Sequence, residues 1–235
     1  MKNKKISGRA LKQEVFKLLQ QNDFERGLKA IIKHPARQVV NPLFSFFYNT
    51  DELIKWRAVT AMGRVAAELA DKDMESARVV IRRLMWNLND ESGGIGWGSP
   101  EAMGEIMACH EGLAEEYSCI LISYIAKNGN FLEHEALQRG AIWGFGRLAN
   151  ARPRLLNSSA HYLIPFLKGT DATKRGFAAW AAGALNPDQT KPLLKQLADD
   201  HTMIHFYLNW QMVERTVSRF AIKALEQLEH QRQSA

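Results

Sequence analysis

Cysteine, proline and long apolar runs are all scarce in this chain. Two cysteines among 235 residues, Cys109 and Cys119, cannot build a disulfide framework. That usage predicts small apolar core residues and a reducing, cytoplasmic setting. Seven prolines and sixteen glycines are too few for a linker-rich or turn-rich architecture. The longest apolar-rich stretch without a charge, residues 117–126, is about half of a membrane span, so no spanning segment is expected. Behind Lys2, Lys4 and Lys5 no apolar block develops, because Lys12, Glu14 and Lys17 interrupt it. A secretory leader is therefore not expected. Convincing alternation of apolar and polar residues is also missing, so no strand is expected.

What is present is a 46% hydrophobic, 24% charged chain, the composition of a globular domain with a sizeable core. The net charge of +6 is unevenly spread. Residues 1–40 hold ten Lys or Arg against three acids, a net of +7. A basic end of this kind suits phosphates or acidic proteins, or is simply a solvated face. The middle is the reverse. From Leu84 to Ala126 there is no Lys or Arg, while Asp90, Glu91, Glu101, Glu105, Glu111, Glu115 and Glu116 all fall there. Such a surface repels a phosphate backbone, which needs cations, and suits a metal ion, an amine or a basic segment of another protein.

Apolar residues recur at a spacing of three to four almost throughout. Helices are expected over 9–20, 24–32, 39–47, 52–69, 74–88, 100–109, 113–125, 134–149, 160–167, 173–185, 190–198 and 205–228. Breakers such as His34-Pro35, Asn49-Thr50-Asp51 and Lys127-Asn128-Gly129-Asn130 lie between them. A pattern of Ala, apolar, variable, small, apolar, Gly recurs within these helices. It reads Ala58-Val59-Thr60-Ala61-Met62-Gly63, Ala141-Ile142-Trp143-Gly144-Phe145-Gly146 and Ala178-Ala179-Trp180-Ala181-Ala182-Gly183. Looser copies begin at Ala102 and Ala221, giving intervals of 44, 39, 37 and 43 residues. An Ala and a small residue three positions later share one helix face, where a neighbouring helix can come close. A basic residue, Arg57, Arg139, Arg175 or Arg219, stands one to three positions before the Ala.

That period and these small residues resemble the HEAT and armadillo families of two-helix repeats, over residues 8–228. The resemblance implies an all-α, right-handed α-solenoid of about five to six helix pairs. It implies one domain over 1–235, with residues 1–7 and 229–235 frayed. The segment 89–106 is also similar to a stretch of bacterial HEAT-like proteins to which no activity is assigned.

The glycine-rich stretch 93–98 follows a helix rather than a strand and precedes no Lys-Ser/Thr, which excludes a phosphate loop. Ser99 is expected as helix N-cap and Pro100 as the first helical residue. Trp97 among those glycines has no role in a simple turn. Glu101 and Glu105 lie one helical turn apart, on one face, as do Glu111 and Glu115. The dipeptides His110-Glu111 and His134-Glu135 resemble those of deoxyhypusine hydroxylase, a HEAT-repeat di-iron enzyme. That family uses four pairs in repeat register, whereas here two stand 24 residues apart. Cys109 and His110 are helix neighbours whose side chains diverge, so they make no nucleophile and base.

Two readings follow. In the first, the chain is a non-catalytic scaffold for protein-protein interaction. The acidic, Trp-containing region 90–116 binds a protein or basic peptide through Asp90, Glu91, Trp97, Glu101, Glu105 and Glu111. No cofactor and no metal are expected. In the second, Arg139, Trp143, Arg147, Arg175 and Trp180 form a basic, aromatic concave face that binds nucleic acid. That face resembles the HEAT-like DNA glycosylases of alkylation repair, which implies excision of alkylated bases with Asp171 as the nearby carboxylate.

Overall fold

The structure, a computed structural model, describes residues 7–89, 96–185 and 188–233. Twelve α-helices and one β-hairpin are found among the described residues. In chain order the helices are α1 Gly8–Leu19, α2 Phe24–Ile32, α3 Ala36–Phe46, α4 Glu52–Ala70, α5 Met74–Asn89 and α6 Ser99–Cys109. There follow α7 Glu111–Ser123, α8 Glu135–Ala151, α9 Ile164–Leu167, α10 Ala172–Leu185, α11 Lys191–Leu197 and α12 Val217–Gln233. The hairpin strands β1 Met203–Leu208 and β2 Gln211–Thr216 precede α12.

Local chemistry sets several helix starts. Ser7, Asp23 and Asp51 accept N–H groups from the first turns of α1, α2 and α4, satisfying donors that have no intrahelical partner. His110 does the same for α7, its Nδ1 accepting from the Leu113 N–H at 3.2 Å. The start of α6 differs from expectation by one residue. Gly98, at φ +74°, is the N-cap, and Ser99 is the first helical residue, with Pro100 next. A left-handed backbone there is open to glycine at no steric cost. The last helix runs to Gln233, beyond the expected boundary at 228. The expected helix over 160–167 is a 3₁₀ segment, Asn157–Leu163, that becomes α9. Cys109 is half-buried and Cys119 exposed, so Cys119 is not the core residue expected.

The helices carrying the repeated small-residue pattern, α4, α6, α8, α10 and α12, pack against one another in that order, each backed by an outer helix. The glycines of the pattern are the points of closest approach. A Cβ on Gly104 of α6 would stand 2.3 Å from the Gly144 Cα of α8. On Gly146 of α8 it would meet the Trp180 ring of α10 at 2.7 Å, and on Gly183 of α10 the Ala224 backbone of α12 at 2.9 Å. The pattern therefore marks helix-to-helix contact between repeats, as the sequence implies. The core runs continuously from Leu11 and Val15 of α1, along this inner row, to Ala224 and Leu228 of α12.

The largest departure lies in residues 203–216, where a helix is expected and an antiparallel hairpin is found. Its register pairs Met203 with Thr216 and Leu208 with Gln211. The turn residues Asn209 and Trp210 both have positive φ, 48° and 65°, the left-handed pair required by the tight hairpin turn that matches strand twist. The hairpin lies against the inner helices. Ile204 fills the space above Gly176, and Phe206 packs edge-on to Phe177, Trp180 and Phe220. Tyr207 stacks on Trp56, with ring centroids 5.3 Å apart and planes within 11°. Its hydroxyl is 3.1 Å from Thr60 Oγ1.

Candidate binding recesses on the inner face

Two recesses open where the hairpin meets the inner helices. Trp56, which lines the first, stacks on Tyr207 and meets Trp143 at a tilt of 56° with centroids 4.6 Å apart, and both of these rings line the second.

The first recess, of about 460 Å³, is built from the N-terminal turns of α4, α6, α8 and α10 and the open end of the hairpin. Glu101 lies at its floor, only 4% exposed. Gly140 makes room for that carboxyl group, since a Cβ there would fall 2.6 Å from it. Glu101 Oε1 is 3.4 Å from Lys55 Nζ. Glu101 Oε2 is buried and has no hydrogen-bond partner among the described residues. Trp97 forms a wall, edge-on to His134, and the Lys55 ammonium sits 5.9 Å from its ring centroid. Arg139 reaches the same recess while holding Asp171 at 2.8 Å.

The second recess, of about 380 Å³, lies one to two turns further along the same helices and under the hairpin tip. Its walls are Trp143, Trp180, Tyr207 and Trp210, with Thr60, Glu105 and Arg147 supplying polar groups. Arg147 donates to Glu105 through Nε (2.7 Å) and Nη2 (3.2 Å). Burial disfavours the Arg147 cation, but the Glu105 carboxylate outweighs it and holds the guanidinium pKa above its usual value. Burial likewise raises the Tyr207 phenol, Thr60 opposing only in part.

The tip of the hairpin is fastened by Arg57. This guanidinium is 4% exposed and donates to the carbonyls of Leu19 (2.8 Å), Gln21 (2.9 Å) and Trp210 (3.3 Å). It also lies over the Phe24 ring, which meets Trp210 edge-on. Arg57 thus ties α4, the α1–α2 turn and the hairpin tip together.

The residues singled out in the sequence are distributed differently from expectation. Asp90 and Glu91 lie outside the described residues. Trp97 and Glu101 come together in the first recess. Glu105, expected beside Glu101 on an acidic surface, is buried and faces the second recess through Arg147. Glu111 is exposed at the start of α7 and lies 3.7 Å from Arg152, away from both. Glu101 and Glu105 therefore do not form the solvated acidic patch expected; α4 and α8 cover them on either side.

Trp143, Arg147 and Trp180 of the second set gather in the second recess. Arg139 and Arg175 do not join them: Arg139 lies one turn nearer the start of α8 and lines the first recess, and Arg175 is tied to Asp200 and to the Gly169 and Thr170 carbonyls. The carboxylate beside the aromatic rings is Glu105, not the expected Asp171. The hairpin residues Tyr207 and Trp210 were not foreseen in either set. Their signal in the sequence is the aromatic and β-branched content of residues 204–207, which a helical reading of 205–228 absorbs.

No known protein-family profile matches the chain. An uncharacterised protein of Archaeoglobus fulgidus is 25% identical over 189 residues, covering 78% of this chain and 94% of the relative. Among solved structures, an engineered protein superposes with a TM-score of 0.53 at 15% identity, covering 93% of this chain and 96% of its own. The fold is that of a HEAT/armadillo-like helical repeat protein. A computationally designed armadillo repeat protein for modular peptide recognition gives a TM-score of 0.49 at 16% identity, over 92% of this chain and 99% of its own. In this helical repeat protein no described helix is long and apolar enough to cross a membrane. No three described His, Cys, Asp or Glu side chains converge as a metal site would need.

Proposed function

We propose that this helical repeat protein is a scaffold that binds a segment of another protein, and that the first recess anchors a basic side chain of that segment. The observation that carries the reading is the Glu101 carboxylate. One of its oxygens is buried and lacks a donor, at the floor of a recess walled by Trp97. An incoming ammonium or guanidinium supplies that donor through a charge-assisted hydrogen bond. The Trp97 ring face attracts the same cation, as it already attracts Lys55. A buried anchor of this kind sets affinity, while exposed acids such as Glu111 add steering that weakens with salt. The right-handed stack of about five to six helix pairs, forming one domain in the cytoplasm, belongs to the same proposal.

The test is capture of Lys- and Arg-containing peptides by the full chain and by its Glu101→Gln and Trp97→Ala variants. Each variant should weaken the best peptide by about tenfold or more. Glu101→Gln keeps the volume over Gly140, so a folding defect is not expected. Equal capture by all three proteins counts against the proposal.

A further inference from the structure

The second recess shares no ligand chemistry with the first. Its walls are four aromatic rings, Trp143, Trp180, Tyr207 and Trp210. Two of its unpaired polar atoms are donors, and the Asn209 side-chain amide lies at its edge. Trp143 is 2% exposed, and its Nε1 has no hydrogen-bond partner among the described residues. Arg147 uses Nε and Nη2 on Glu105, and its Nη1 makes no hydrogen bond among the described residues. A neighbouring cleft of about 290 Å³ shares Thr60, Glu105, Arg147 and Trp210 with this recess and adds the exposed guanidinium of Arg64. Two guanidinium groups, Arg64 and Arg147, therefore stand beside one carboxylate, Glu105, while the remaining charges of that cleft, Glu25 and Lys29, pair with each other at 2.6 Å. The surplus is positive, so a cationic ligand is disfavoured and an anionic one favoured.

Aromatic walls and spare N–H donors select a flat ring that carries acceptors and a negative group. We infer that the second recess binds a nucleoside monophosphate, its base between the tryptophan rings and its phosphate toward Arg64 and Arg147. The size agrees, since small-molecule sites begin at about 300 Å³. Stacking of a base on an aromatic side chain depends little on base identity, whereas the phosphate is recognised by guanidinium groups. The hairpin tip roofs the site.

The inference is independent of the peptide-binding proposal, which rests on Trp97 and Glu101. It is tested by tryptophan fluorescence and calorimetry on the full chain with AMP, GMP, CMP and UMP, using adenosine and inorganic phosphate as controls. Binding of at least one monophosphate at or below about 1 mM is expected. Adenosine should bind about tenfold more weakly, and phosphate alone more weakly still. Arg64→Gln, an exposed position that leaves the core intact, should weaken the nucleotide about fivefold and leave adenosine unchanged. Trp180→Ala should weaken both by about tenfold. Absence of binding by all four monophosphates overturns the inference, as does equal affinity for AMP and adenosine. Nucleotide binding that survives both substitutions places the site elsewhere and overturns it too. Unaltered peptide capture by Trp180→Ala separates the two recesses.

Discussion

Glu105 and Arg147, 42 positions apart in the chain, form a two-pronged ion pair across α6 and α8. In the sequence the one belongs to an acidic stretch and the other to a basic, aromatic one. Packing of the inner helices turns them into partners, and the pair becomes the polar edge of an aromatic recess. Neither charge is then available to form the extended single-sign surface that its sequence neighbours suggest.

Removing one member of this pair leaves the other facing a partly desolvated site without its counter-charge. Glu105→Leu and Arg147→Met should each destabilise the fold by about 1–3 kcal/mol. The double variant should lose less than the sum, because neither orphaned charge remains. Urea unfolding of the four proteins measures this. Strict additivity would mean that the pair contributes no coupling.

The contact of α6 with α8 has no room for a side chain at Gly104 or Gly144. Gly104→Ala inserts a methyl group 2.3 Å from the Gly144 Cα, and only a backbone shift relieves it. A loss of about 1–3 kcal/mol or more is expected, read as a fall in Tm. Gly8→Ala, where no atom lies within 4 Å, is the control and should leave Tm unchanged or slightly raised.

Arg57→Met should release the hairpin tip. Three backbone carbonyls lose a charged donor, at a cost of about 2–3 kcal/mol, and Trp210 loses the contact that holds its positive φ. Hydrogen exchange should speed up in residues 203–216 more than in α8 or α10. Uniform protection in the variant would show that the hairpin is held by Tyr207 and Phe206 without Arg57.

The two cysteines should react very differently. Burial first, and then the nearby Glu105, push the Cys109 thiol up to about 12, so almost no thiolate forms near neutral pH. Cys119 is exposed on α7. A maleimide at pH 8 should modify Cys119 and leave Cys109 intact until the protein unfolds, as mass spectrometry of digested protein would report. Early labelling of Cys109 would contradict its burial.

Acid should weaken the inner face through Asp171 and Asp200. Burial raises the pKa of each. Hydrogen bonds from the Lys174 N–H and Arg139 outweigh that effect at Asp171, and those from Thr202 and Arg175 outweigh it at Asp200. Both carboxyls are therefore held below the usual aspartate value. A depressed folded-state pKa adds stability that is complete above the unfolded value, near ~3.9, and disappears as pH falls through the folded one. Tm should be nearly level from neutrality to about pH 5 and then decline. Asp171→Asn with Asp200→Asn should be less stable at pH 7 and lose less between pH 5 and pH 2 than the parent. A parallel decline of the two proteins would remove these groups as the cause.

Helix by helix, the amino-acid sequence determined the inner row. The Ala-apolar-small-Gly pattern reports a local steric fact, a helix face without bulk, and such a face permits close packing wherever it occurs. Gly104 against Gly144 and Gly146 against Trp180 follow directly. The caps Ser7, Asp23 and Asp51 were equally local. The hairpin was not, because Asn209-Trp210 carries no glycine to announce a tight turn. Its conformation depends on Arg57, Phe24 and Trp56, residues about 150 or more positions away. Tertiary structure alone also decided the fate of the charges. Along the chain Glu101 and Glu105 read as solvent-facing, since nothing nearby in sequence can pair with them. Their covers, Gly63 and Gly140, and their partners, Lys55 and Arg147, come from the flanking repeats. Periodicity is a property of one helix and survives in the sequence, whereas electrostatic pairing across a stack of helices exists only once the stack has formed.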